Sequence, residues 1–132
     1  MNLSDEERGI VVELEIEKAR TAYNETLWLM EKSSWSGAAG RLYYALFHAV
    51  SALLIHDKHS VNSHKGSHIL FSNYYIRTGL LPKEYGTLYS QMESIREEGE
   101  YNCTYQVTEE DLQQRLEPAK EMIDTIVLMA KK

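Results

Sequence analysis

Apolar residues recur at helical spacing along almost the whole chain, and the polar residues between the apolar runs are those that start and stop helices. Ser4, followed three residues later by Glu7, has the form of a capping box and opens a first helix. Its apolar positions, Ile10, Leu14, Ala22, Leu27 and Met30, continue to about Lys32, where Ser33 and Ser34 break and recap the chain. A second helix is predicted from about Trp35 to His56, with Ala38, Ala39, Leu42, Leu46, Ala49, Val50 and Leu53 as its core stripe. The alanines, with Gly37 and Gly40, would let a neighbouring helix approach closely. After a turn over 57–62, Ser63 caps a third helix, about His64 to Thr78, and Gly79 stands where a C-terminal glycine belongs. Pro82 opens a fourth, over about 82–98, closed by Gly99, and 100–107 reads as a loop. Thr108 with Asp111 caps the last helix, striped by Leu112, Leu116, Met122, Ile123, Ile126, Val127 and Met129. The β-branched runs that a sheet needs are missing. The expectation is an all-α, antiparallel up-and-down bundle of about five helices, one domain over 1–132.

Charge adds a local feature to this picture. The chain of 132 residues carries a net charge of −6, which argues against a non-specific nucleic-acid coat. Between Arg41 and Lys83, however, Arg41, Lys58, Lys65, Arg77 and Lys83 face Asp57 alone, and all five histidines (His48, His56, His59, His64, His68) fall in the same segment. An acidic shell around this centre suggests a local anion site; chance clustering is the competing explanation. A lone Cys103 excludes an internal disulfide and suits a reducing cytoplasm. The acidic N-terminus is unlike a signal peptide, and no apolar run is expected to reach the 18 or so residues of a membrane span.

Arg41 and His48 are the residues that stand out. They lie seven apart on a mostly apolar helix, so they leave the same face within about 20°, spaced about 10 Å along the axis. That span can flank a phosphodiester. A cation and an imidazole are costly in a core without partners, so the pair should border a cleft or face solvent. Ser63-His64-Lys65-Gly66 is a second candidate, because cations in a first helical turn oppose the macrodipole unless an external anion sits there. The third is Arg96 to Tyr101, where Arg96 can pair with Glu100 and Tyr101 can stack or donate a hydrogen bond. No paired Glu-x-x-His element, phosphate loop or Ser/Cys nucleophile motif occurs, so neither metal nor cofactor is implied.

The run Gly37-Ala38-Ala39-Gly40-Arg41-Leu42-Tyr43-Tyr44-Ala45-Leu46-Phe47-His48-Ala49, then Ser63 to Gly66, Tyr75 to Gly79 and Arg96 to Tyr101, resembles the HEPN domain family, in its small stand-alone prokaryotic branch. The likeness spans roughly residues 10 to 130. It implies a helical bundle, usually dimeric. It also implies either a metal-independent RNase, whose signature is an arginine and a histidine with four to six residues between them, or a non-catalytic binder of nucleotides or RNA. Such proteins often act as toxins beside a small nucleotidyltransferase partner. Arg41 and His48 match the signature by count, with Leu42 where a polar residue is usual. Arg96 lies where the family places its arginine, with Tyr101 in the place of the histidine.

Three readings stay open. In the first, Arg41, Tyr44, His64, Lys65, Arg96 and Tyr101 bind a nucleotide, RNA or a nucleotidyltransferase-type partner, as half of a toxin–antitoxin pair. In the second, His48 moves a proton at an RNA 2′-hydroxyl while Arg41 holds the phosphate. In the third, the chain is a helical scaffold. The binding reading ranks slightly ahead of the nuclease, and both ahead of the scaffold.

Overall fold

The computed structural model describes residues 2–132. Five α-helices follow one another: α1 (Asp5–Glu31), α2 (Trp35–His56), α3 (His64–Phe71), α4 (Lys83–Tyr101) and α5 (Glu109–Ala130), with no strand among the described residues. α2 is the axis of the bundle. It packs against all four other helices, and Leu42, Tyr43, Leu46, Val50 and Leu54 on it are wholly buried. Its length and apolarity would suffice for a membrane span, contrary to the sequence expectation, but most of it is covered by the bundle.

The helix starts follow their capping chemistry. Ser4–Glu7 and Thr108–Asp111 both form reciprocal capping boxes, and the Ser63 hydroxyl accepts from the Gly66 amide at 2.9 Å. Between α1 and α2 the break is made by Ser33, whose φ of 58° ends the helix, while Ser34 occupies the N-cap without a side-chain bond. The stripe expected on α2 is buried throughout.

Three expectations are corrected. On α1 the buried positions are Val12, Ile16, Ala19, Ala22 and Thr26, whereas Ile10 is 57 % and Leu14 53 % exposed. A 27-residue helix with apolar residues on two faces leaves the choice of face to its neighbours. The third helix ends as an α-helix at Phe71 and continues as a five-residue π-helical turn, Ser72–Ile76. There the buried Tyr75 donates its hydroxyl to Asp57, which ties the segment to the end of α2. Gly79 has a φ of 80°, as a terminating glycine should. Gly99, expected to stop the fourth helix, lies inside it. A Cβ there would come within 2.8 Å of Val107 and 3.2 Å of the Ser36 hydroxyl, so glycine permits close approach. The helix ends instead at Asn102, whose side-chain oxygen accepts from the Thr104 amide at 3.1 Å.

The corrected α1 stripe is tested by truncation. Ile16→Ala should destabilise the protein by about 2–5 kcal/mol, while Leu14→Ala should change stability by less than about 0.5 kcal/mol. Urea unfolding of the two variants measures the difference.

Candidate functional site

One face of α2 has to dispose of polar groups that its apolar neighbours cannot accommodate, and it does so around Tyr43, Tyr44 and Phe47. Tyr44 is the centre. The Arg41 guanidinium lies 4.9 Å from its ring centroid and the Arg96 guanidinium 5.7 Å, so two cations from different helices share one aromatic ring. Arg41 comes from the same helix one turn earlier, and Arg96 reaches across from α4.

On the α1 side, Arg41 and His48 do line one groove. It has a volume of about 410 Å³, and Leu14, Thr21 and Glu25 contribute to its walls. Arg41 makes a 3.5 Å ion pair with Glu25. His48 Nδ1 lies 2.9 Å from a carboxylate oxygen of Glu15. A carboxylate only accepts, so Nδ1 carries a proton, and whenever the ring is neutral Nε2 is left as the acceptor. Glu15 and Glu25 were not foreseen as members of this site.

On the α3 and α4 side, His64 stacks on Phe47 with centroids 4.1 Å apart and lies 2.9 Å, through Nδ1, from the Tyr43 hydroxyl. Tyr43 itself is fully buried, stacked on Tyr89 at 5.9 Å and covered by Arg96 at 4.7 Å. Burial pushes its phenol up to about 12, with Glu93 adding to the effect, so it stays protonated. Among the described residues His64 Nδ1 is the hydrogen-bond partner of the Tyr43 hydroxyl, and we assign Tyr43 as the donor. The imidazole of His64 is in turn held below its ordinary value, first by desolvation and then by the Arg96 charge; Glu93 opposes and His48 adds to the lowering. Arg96 bonds Glu100 at 3.1 Å, and its Nε is buried with no partner among the described residues. Its charge is opposed by burial, but Tyr44, Glu100, Tyr43 and Glu97 together outweigh that effect.

The sequence-derived candidates therefore divide. Arg41, Tyr44, His48, His64 and Arg96 come together around Tyr44 and Phe47. Lys65 is exposed, with no hydrogen bond or ion pair among the described residues. The Gly66 amide beside it is already taken by Ser63, which leaves the α3 N-terminus a weaker anion holder than the sequence suggested. Tyr101 is 77 % exposed on the last turn of α4, away from the stacked rings. Of the remaining histidines, His56 bonds Asp57 at 2.7 Å and His59 packs, tilted, against Tyr74 with ring centroids 4.1 Å apart. His68 bridges Glu93 and Ser90 at 3.2 and 3.1 Å, fastening α3 to α4.

The family model for the HEPN domain matches residues 12–130, and the chain belongs to that family. The UPF0332 protein of Thermotoga maritima is 30 % identical over 120 residues, covering 91 % of both chains. Two proteins of Methanocaldococcus jannaschii named as putative toxins are 29 % and 27 % identical, covering 74 % and 73 % of this chain and 72 % and 65 % of their own lengths.

The electrostatics of His64 can be read directly. Its NMR titration midpoint should fall below 6.5. A histidine that resists protonation when folded stabilises the fold above that pH and loses the contribution as pH falls below it. A midpoint at or above 6.5 would contradict the environment described.

Proposed function

We propose that this protein binds single-stranded RNA or a nucleotide through the Tyr44 ridge, as one component of a toxin–antitoxin or nucleotidyltransferase-associated pair in the cytoplasm. The observation that carries this reading is the placement of Arg41 and Arg96 at 4.9 and 5.7 Å from one partly exposed tyrosine ring. Guanidiniums contact phosphate oxygens, and an aromatic face stacks on a base. The net charge of −6 disfavours broad, non-specific binding and suits a local site. The toxin names of the archaeal relatives support the two-component setting. In a homodimer, two copies of the face would double its positive charge. The other half of the pair would be a small nucleotidyltransferase.

A second reading is favoured by one contact. The Glu15 carboxylate at 2.9 Å from His48 Nδ1 leaves Nε2 free to take a proton, beside Arg41 in the same groove. That arrangement suits metal-independent cleavage of RNA, with His48 acting on the 2′-hydroxyl and Arg41 on the phosphate.

Anisotropy titrations with a fluorescent single-stranded RNA test the binding reading. Arg41→Ala and Arg96→Ala should each weaken binding by about 10- to 100-fold, the worth of a hydrogen bond to a charged group. Each should also flatten the salt dependence by roughly 0.7 in log–log slope. Equal affinity of both folded variants and the wild type, judged alongside their circular dichroism, would rule the reading out.

A further inference from the structure

The hydrogen-bond partners of the two imidazoles beside the ridge assign them opposite tautomers, and this difference gives them different work. His48 has Nδ1–H directed at the Glu15 carboxylate, so its Nε2 accepts. His64 receives the Tyr43 hydroxyl proton at Nδ1, so its Nε2 carries the hydrogen and donates. Both rings lie within 6.4 Å of the Tyr44 centroid, and they pack against Phe47 at 5.2 and 4.1 Å. His48 sits toward α1, and His64 toward Arg96 on α4. Each imidazole has an arginine in its surroundings: Arg41 lines the same groove as His48, and the Arg96 charge acts on His64. The histidine that the Arg96–Tyr101 segment lacks in sequence is supplied in space by α3.

We propose that His64 is a second working imidazole of this site, a phosphate hydrogen-bond donor fixed by Tyr43, and that the substrate engaging both rings is a phosphodiester bearing a neighbouring 2′-hydroxyl. The proposal rests on the ribonuclease reading given above and extends it. His48 Nε2 removes the 2′-hydroxyl proton, and the 2′-oxygen bonds to phosphorus. The bond from phosphorus to the 5′-oxygen breaks, and that oxygen takes a proton from water. The products are a 2′,3′-cyclic phosphate and a 5′-hydroxyl, and the proton on His48 returns to solvent. His64 transfers no proton in this scheme. Its Nε2–H bonds the non-bridging oxygen as charge accumulates there, with Arg41 and Arg96 adjacent. Tyr43 is a positioning residue, because it touches His64 and not the substrate. The groups facing His64 are Tyr43, Tyr44, Phe47 and His48 from α2 and Glu93 and Arg96 from α4. Of these, only Tyr43 bonds Nδ1, and Nε2 has no partner among the described residues.

The test uses the full chain, a single-stranded RNA and the DNA of the same sequence, with EDTA present. Cleavage should be confined to RNA and leave cyclic phosphate ends. His64→Ala should lower cleavage about 10²-fold, the effect of losing a transition-state hydrogen-bond donor. His64→Gln, which keeps an N–H donor at similar reach but cannot shuttle a proton, should recover most of that loss. Recovery by glutamine separates a donor from an acid or base. Long-range ¹H–¹⁵N spectra give a readout free of activity: His64 should appear as the Nε2–H tautomer and His48 as the Nδ1–H tautomer, and Tyr43→Phe should release only the first. An unchanged rate in His64→Ala, no recovery in His64→Gln, or an Nδ1–H tautomer at His64 overturns the proposal and leaves the nuclease reading standing. RNA bound by the wild type but never cut overturns both and leaves binding alone. RNA neither bound nor cut removes all three.

Discussion

Tyr43 is the joint between the core and the functional face, and the rest of the site depends on how it is held. Its ring is wholly inside the bundle, stacked on Tyr89 and roofed by the Arg96 guanidinium, while its hydroxyl emerges far enough to grip His64. A phenol can do this because one end is apolar and the other is a hydrogen-bond donor. A phenylalanine would fill the same space and leave His64 without its partner. The ring also fixes distances between three helices, since α2 carries it, α4 covers it and α3 caps it.

The same economy governs the α1 side. Arg41 and His48 are partly exposed on a helix that is otherwise the most buried element, and each has a carboxylate from α1 within reach. Removing charge from water requires compensation, and Glu25 and Glu15 supply it without closing the groove. The Glu15 contact has a consequence beyond compensation, because it decides which nitrogen of His48 is free. Two histidines with the same chemistry in water are thereby made unlike by a carboxylate in one case and a phenol in the other. Membership of the HEPN family gives this face its setting, and the difference between the imidazoles is read from the neighbours they keep.

How much of this could be read beforehand depended on the range of the interaction. The limits of α2, the capping boxes at Ser4 and Thr108, and the shared face of Arg41 and His48 follow from neighbours within two turns. Glu25 and Glu15 were beyond that range: only the packed α1–α2 hairpin, turning at Ser33, brings 25 opposite 41 and 15 near 48, a register that the helical pattern left open. Gly99 misled because glycine both ends helices and lets them approach, and only the position of Val107 and Ser36 tells which. The outward turn of Ile10 and Leu14 has the same origin, since α1 has more apolar faces than the bundle can cover.

The sequence by itself determined an all-helical chain with its most apolar helix at the centre, and it placed an arginine and an imidazole on one side of that helix. Those properties arise from periodicity and local capping, which are encoded within a few residues. Only the tertiary structure decided that Arg96 and His64, 32 residues apart, would meet over Tyr43, and which tautomer each histidine would hold. The reason is physical. A proton on an imidazole is placed by a partner about 3 Å away, and which group occupies that spot depends on how three helices pack.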